Sequence, residues 1–489
     1  MSLKNKIDEK QLHRIWAEQD FLEELTTFSN DFVTVIEPGN YNSDEAGPDF
    51  KDAKIKIGKF TYVGDIEIDN DYSDWKNHGH NINKYYNKVV LHVAYRNKQK
   101  LSYVYSSGGR KILSISLESK ISVDNLRIHI LEKNKRKLSS IYLKCNENAE
   151  NVNAEIKRKF LLELGFNRFQ KKCLKIFNRL KELTFISELQ IKEPVIRYEL
   201  TKQFREKKFE HNDFSDTEIW NQLFYELLFE ALGYSKNKII MKRFAQNVNL
   251  EYFKSLENND NLITKIEASL FAISGLLPEK NENKKLSDYS EDLIEIWNSP
   301  INKYDGVKFD ETDWQFLGQR PQNFPTIRLA GGAVLINSII NENLISNIIQ
   351  KFSEIDSEKI LINTVRSFFI IKANGYWQEH YVFEKQSKNK INYLIGLSRA
   401  DEIFINIILP YLSVYFDIFG NREMSKKTII VYNSYKQKLD NKIVREVSKQ
   451  LIIKGLNRQT IYVQGMLELY KNYCSRNQCS KCKIGKEIF

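Results

Sequence analysis

The sequence predicts an α+β protein: an N-terminal mixed α/β domain followed by a large all-α region. Between Phe32 and Leu117, short runs alternate apolar and polar residues, the period of strands with one buried face. From Ala154 onward, apolar residues recur at three- and four-residue intervals over long stretches, the period of amphipathic helices. The polar run Asn146 to Asn153 separates the two patterns and divides the chain into domains 1–148 and 149–489. At 489 residues the chain is too long for a single core, so two or three domains are expected on size alone.

Lys10 to Thr27 reads as a first helix, with Leu12, Ile15, Trp16, Phe21, Leu22 and Leu25 on its apolar side. A strand follows at Phe32 to Ile36. After a turn at Pro38-Gly39, Gly47-Pro48-Asp49-Phe50 leads into an alternating strand, Ala53 to Ile57. Gly58-Lys59 supplies a hairpin turn into the second alternating run, Phe60 to Asp69. Next come Ser73-Asp74-Trp75, His78-Gly79-His80 and a short helix around Asn83 to Asn87. Strands are then expected at Val89 to Tyr95, Leu101 to Tyr105 and Ile112 to Leu117. Helices are expected at Ala154 to Leu183, Thr217 to Gly233, Ile239 to Phe253, Asn261 to Leu277 and Ser287 to Asn298. The longest apolar stretch, Ile403 to Phe416, is interrupted by Asn406 and Pro410 and falls short of the ~20 residues a membrane span needs. It reads as a buried helix, and no membrane partner is expected.

With 42% apolar residues the chain can fill its cores. A net charge of +11 and a pI near 9.0 favour an anionic partner such as DNA or RNA, although the excess of Lys over Arg also fits a bias of nucleotide composition. Five unevenly spaced cysteines do not make a disulfide framework, and Met1 to Asn5 open no apolar leader, so the cytoplasm is the expected compartment. The absence of a Walker-type phosphate loop, a dinucleotide fingerprint and a nucleophile elbow argues against an ATPase, a dehydrogenase or a common hydrolase.

The candidate chemistry lies between Glu37 and Tyr95. Asp65, Glu67 and Asp69 share one face of a strand, and Asp49, before the preceding strand, can reach the same place. Carboxylates this close need a cation or basic groups among them, which points to a hard divalent metal, Mg²⁺ or Mn²⁺. Asp49 and Glu67 are the expected ligands, with Asp69, His78 or His80 as a further ligand or base. The plain alternative is a solvated strand face with Asp49 and Asp74 as turn or cap residues.

From Lys76 to Lys111 no acidic residue occurs, while Lys76, Lys84, Lys88, Arg96, Lys98, Lys100, Arg110 and Lys111 do, a contrast that suits a phosphate backbone beside a metal site. In the first long helix Arg168, Lys172, Lys175 and Arg179 recur at helical spacing and could track phosphates or form an ordinary solvated face. Glu226 and Glu230, one turn apart, lack a partner histidine and are not read as a metal site. Arg320-Pro321-Gln322-Asn323-Phe324-Pro325-Thr326-Ile327-Arg328 approaches a helix beginning near Thr326, so Arg320 and Arg328 could bind an anion there or tie the loop down. Gly375 to Tyr381 is aromatic enough for core or for a stacking platform. At the end, Cys474, Cys479 and Cys482 have the Cys-x4-Cys-x2-Cys spacing of soft-metal ligands, with Cys145 favoured over Cys173 as the fourth. Zinc is the first expectation and an iron–sulfur cluster the alternative.

Several of these motifs together resemble an uncharacterised bacterial family, the domain of unknown function number 2851. They are Gly47-Pro48-Asp49-Phe50, Gly64 to Glu67, Ser73-Asp74-Trp75 with His78 and His80, Arg320 to Pro325, Tyr376-Trp377 with His380, and the terminal cysteines. The resemblance spans nearly the whole chain and implies no reaction. Pro48-Asp49 followed by Glu67-x-Asp69, within a helix-strand-strand-strand-helix-strand order, also resembles the PD-(D/E)XK nuclease core, in which Asp49 and Glu67 would hold the metal. Asp69 stands where that motif has lysine, for which Lys84, Lys88, His78 or His80 could substitute. Some nucleases of that superfamily join their ends through a four-cysteine iron–sulfur cluster, to which Cys145 and the terminal triplet are loosely similar. The functions implied are a metal-dependent nuclease, a catalytically degenerate nucleic-acid-binding protein, or a helical scaffold for a protein partner.

Overall fold

The computed structural model describes residues 9–19, 21–29, 31–42, 47–121, 141–189, 204, 206–234, 236–256, 261–280, 285–299, 304–437, 441–453 and 455–489. The chain divides into two units, Met1–Ser139 and Ser140–Phe489. The division falls earlier than the expected 148/149 because the residues after it belong to the helical core. Leu143 and Cys145 are buried there, and Gln450 accepts from the Leu143 N–H (2.8 Å) and donates to the Ile141 carbonyl (2.7 Å).

The N-terminal unit begins with helix α1 (Glu9–Glu18), which ends where Gln19 takes a left-handed conformation (φ 55°). The expected continuation to Thr27 is replaced by a short strand β1 (Leu25–Thr26). An eight-stranded sheet follows: β2 (Phe32–Glu37), β3 (Asn40–Tyr41), β4 (Phe50–Ile57), β5 (Phe60–Asp71), β6 (Val89–Arg96), β7 (Tyr103–Tyr105) and β8 (Lys111–Ser116) complete it. The order is β1-β2-β4-β5-β6-β8-β7, with β3 paired to β4. The first ladders are antiparallel hairpins, whereas β5/β6 and β6/β8 are parallel. The parallel step needs a crossover, supplied by helix α2 (Asp74–Asn77) and a 3₁₀ turn, Lys84–Lys88. Leu12, Ile15 and Trp16 of α1 share one apolar core with Ile55, Ile66, Ile68, Leu91 and Val93 of the sheet. The expected helix-strand-strand-strand-helix-strand order is found in α1, β2, β4, β5, α2 and β6, with the two-residue strands β1 and β3 added to it.

The second unit is predominantly helical, with two small two-stranded ladders (Ile371–Lys372 with Tyr393–Ile395, and His380–Val382 with Lys385–Gln386). Its longest helix, α3 (Ala154–Glu188), is capped by the Asn153 side chain, which accepts from the Glu155 N–H. Helix α4 (Thr217–Leu232) carries Trp220, Phe224, Tyr225 and Phe229 into the core. The helix expected over Ile239 to Phe253 is two, α5 (Lys238–Asn247) and α6 (Leu250–Lys254). Helices α7 (Leu262–Ile273) and α8 (Asp288–Asn298) lie where the periodicity put them, and α9 (Pro325–Asn341) begins beside Thr326, as the prolines of its approach lead one to expect. The Ile403 to Phe416 stretch is buried and helical, widened to a π turn at Phe404–Ile408 just before Pro410. Among the described residues no helix is long and apolar enough to cross a membrane.

Candidate functional site

The site grows from the crossover between β5 and β6. The parallel register sets Glu67 beside His92 and Asp69 beside Ala94, and all three polar side chains are buried. After β5 the Asp74 carboxylate accepts from the Asp71 N–H (3.0 Å) and starts α2, the position of a turn residue. Trp75 is buried beneath the turn, edge-on to His80, Tyr86 and His92. Gly79 sits at φ 77°, a conformation that side chains disfavour, and this twist lets His78 and His80 meet the same carboxylate.

His78 Nδ1 lies 3.3 Å from Asp69 Oδ1. His80 Nε2 lies 3.1 Å from Glu67 Oε1 and 3.8 Å from Asp69 Oδ1. On the other side, His92 bridges Asp69 Oδ2 (3.2 Å) and Ser114 Oγ (2.9 Å), which fixes the carboxylate. One donor atom each from Asp69, His78 and His80 falls within 4.8 Å of the others, a spacing that one cation could bridge. His80 Nδ1 is buried without a hydrogen-bond partner, while Nε2 meets the Glu67 and Asp69 carboxylates as ion-pair contacts, so imidazole and carboxylate donors already converge where a metal ion would fit. Asp49 adjoins this group: its N–H donates to Glu67 Oε2 (3.1 Å), and its Oδ2 accepts from the Ile68 N–H (2.9 Å). His13 of α1 is 3.2 Å from the same Asp49 oxygen.

The electrostatics follow from crowding. Burial, reinforced by Asp49 and Asp69, pushes the Glu67 carboxyl up to about 8 even though His80 opposes the shift. Burial alone would lower His80, but its contacts with Asp69 and Glu67 win and raise it to about 9. Asp69 is also penalised by burial, yet His80 and His92 hold it well below the usual carboxylate range. The cluster therefore holds extra protons near neutral pH, charge that a divalent cation can replace.

Of the expected site residues, Asp49, Glu67, Asp69, His78 and His80 come together. The tightest donor group is Asp69 with the two histidines, and the expected pair Asp49 and Glu67 flanks it. Asp65 points elsewhere, accepting from the Asp52 N–H (3.2 Å). The sequence reading missed His13 and His92. The Glu9-x3-His13 spacing on a helix was the available signal for the first, since burial and the nearby Asp69 and Asp49 charges also raise Glu9. His92 stands among apolar strand residues and gave none.

Lys84 and Lys88 are exposed on the 3₁₀ turn beside this cluster. The other expected phosphate contacts differ. Arg168 bonds Gln464 (2.7 Å) and Glu468 (3.1 Å), Lys172 bonds Asn406 (2.5 Å) and Gln464 (3.0 Å), and buried Arg328 bonds the Leu394 carbonyl, Tyr234 and Asn323. These cations are spent inside the fold, where an unpaired charge costs most. Lys175 and Arg179 likewise pair with Glu230 and Glu226, so the basic stripe and the acidic pair satisfy each other. Arg320 remains exposed. Trp377 is core, and Tyr376 stacks on His380 with centroids 3.9 Å apart.

Fold and site together define an α+β protein whose N-terminal sheet carries a mixed carboxylate and imidazole cluster. The chain belongs to the family described as Protein of unknown function (DUF2851), which matches residues 9–190 and 183–442. No curated protein and no solved structure matches it.

Proposed function

We propose that the N-terminal unit is a divalent-cation-dependent nuclease that hydrolyses phosphodiester bonds in DNA or RNA. The observation that carries this reading is the convergence of Asp69, His78 and His80, one donor atom from each lying within 4.8 Å of the others. Asp69, His78 and His80 would hold the cation, oriented by His92 and flanked by Glu67 and Asp49. Such an ion supplies Lewis acidity toward a phosphoryl oxygen. Two imidazoles in the donor set favour Mn²⁺ over Mg²⁺, because Mg²⁺ prefers oxygen ligands. Glu67, with a proton affinity brought near neutrality, is the group suited to exchange a proton with the attacking water or the leaving oxygen.

Substrate binding is assigned to the surface around the crossover. The turn at Tyr72 to Trp75, the 84–88 turn and the β7–β8 hairpin are tied together: the Tyr72 hydroxyl donates to the Tyr103 carbonyl, Trp75 to the Tyr105 carbonyl (3.0 Å), and Arg110 to the Asn87 carbonyl (2.8 Å). Exposed on them are Tyr85, Tyr103 and Tyr105 with Lys84, Lys88 and Lys111, a mixture of stacking faces and cations that suits single-stranded nucleic acid. The aspartate at the motif's lysine position favours a second reading, a binding module without hydrolysis.

The test is cleavage of labelled single- and double-stranded DNA and RNA by the full chain in Mn²⁺ and in EDTA, with Asp69→Asn and His80→Gln as controls. The nuclease reading expects Mn²⁺-dependent cleavage lost in both variants. Salt-sensitive binding, weakened by Lys84→Glu with Lys88→Glu but without cleavage, would leave only the binding module. No salt-sensitive binding at all would exclude both.

A further inference from the structure

The second unit carries a second constellation, remote in sequence from the acid and histidine cluster. Helix α10 (Thr460–Leu469) runs into a π turn, Tyr470–Cys474, that ends on Cys474. The chain then turns through a 3₁₀ segment, Cys479–Lys481, into the four-residue helix Lys483–Lys486. This tail is docked on α3: Tyr473 packs edge-on to Phe160, Lys483 pairs with Glu163 (2.6 Å), and Ile484 is buried. Cys145, from the start of the unit, is brought to the same place. Cys474 lies in electrostatic reach of Cys145, Cys479 and Cys482, and Cys145 in reach of Cys479 and Cys482.

We propose that Cys145, Cys474, Cys479 and Cys482 are the four thiolate ligands of an iron–sulfur cluster that fastens the C-terminal segment to the beginning of the helical unit. Three further features point to a bound centre. The Ile484 and Gly485 backbone N–H groups donate to Cys482 Sγ, an arrangement that orients the sulfur as a ligand. It needs glycine at 485, since a Cβ there would lie 2.3 Å from the Cys479 carbonyl oxygen. The local charge is the right sign: Lys471, Arg476, Lys481, Lys483 and Lys486 accompany the triplet with no acidic residue between 471 and 486, and buried Lys157 lies in electrostatic reach of Cys145. Cys173, the remaining cysteine, is instead 3.7 Å from the Pro410 carbonyl in a helix interface.

Spacing separates a cluster from a single zinc ion. A tetrahedral zinc with bonds of about 2.3 Å draws its sulfurs to roughly 3.8 Å from one another. Among the described residues, only Asp69, His78 and His80 bring three donor atoms within 4.8 Å, so no three of these sulfurs are that close. A cluster spreads its thiolates over several iron atoms and accepts the wider set. This spacing favours the cluster, the alternative expectation from the sequence, over zinc.

The experiment is anaerobic purification of the full chain, followed by visible absorption, elemental analysis and acid-labile sulfide. The proposal expects a brown protein with about four iron and four sulfide per chain. Cys145→Ser and Cys482→Ser should each lose most of the iron and the visible band, whereas Cys173→Ser should keep both. Stoichiometric zinc without a visible band would overturn the cluster, as would metal-free wild-type protein or retention of iron by Cys145→Ser. Because the first readout is the wild-type protein, failure of a variant to fold leaves the proposal testable.

Discussion

Replacing Glu67 with glutamine should stabilise the cation-free protein while weakening its response to a cation. In the folded chain the Glu67 carboxyl is pushed up to about 8 from an ordinary 4.5, because it is buried beside Asp49 and Asp69. Between those two values the folded state holds a proton that the unfolded state has released, so stability falls as pH rises through this window. At pH 7 the cost is on the order of 3 kcal/mol, from about 1.4 kcal/mol per pH unit between 4.5 and 7. Glutamine removes that cost and keeps an oxygen for the Asp49 N–H. A gain of roughly 3 kcal/mol should raise the melting temperature of the N-terminal unit by about 6–12 °C in EDTA at pH 7. The gain should vanish near pH 4. Saturating Mn²⁺ should stabilise the wild type by about 2.7 kcal/mol at a hundredfold excess over Kd, and the variant by less. Differential scanning fluorimetry across pH, with and without Mn²⁺, reads all of this. A variant destabilised in EDTA at pH 7, or an effect that ignores pH, would refute the electrostatic assignment.

Other consequences concern the helical unit. Burial raises Glu267 to about 7 although the Tyr289 hydroxyl donates to it, so stability falls as pH rises from 4.5 through 7. Glu267→Gln should add on the order of 3 kcal/mol at pH 8 and little at pH 4, measured by denaturant titration. Arg179 grips Glu226 through two hydrogen bonds of 2.8 Å with both side chains buried, and Arg179→Ala should cost about 3–5 kcal/mol by stranding the carboxylate. Helices α3 and α10 cross so closely that a Cβ on Gly465 would lie 2.1 Å from the Leu161 carbonyl oxygen. Gly465→Ala should therefore lower stability by about 1–3 kcal/mol despite alanine's better helix propensity, and a neutral result would mean that the crossing relaxes easily.

The strand layer was legible because its one-sided burial gives a period of two, and the parallel β5/β6 step was foreshadowed by the turn and helix between them. The meeting of Asp49, Glu67, Asp69, His78 and His80 could be read because all five lie within one short stretch. His13 was hidden because it comes from a helix outside that stretch, and His92 because one histidine in a buried strand resembles any core residue. The basic stripe of α3 misled for a related reason. Spacing reports that Lys175 and Arg179 share a face, but only tertiary packing reveals that Glu226 and Glu230 meet them.

The central claim is that Asp69, His78 and His80 share one divalent cation. Electron paramagnetic resonance of Mn²⁺ titrated into the full chain, with electron-spin-echo detection of ligand nitrogens, tests it most directly. One tightly bound Mn²⁺ per N-terminal site with imidazole nitrogen couplings, lost in Asp69→Asn and reduced in His78→Gln, is the expected result. A Mn²⁺ ion without nitrogen coupling, or binding unchanged in Asp69→Asn, would contradict it.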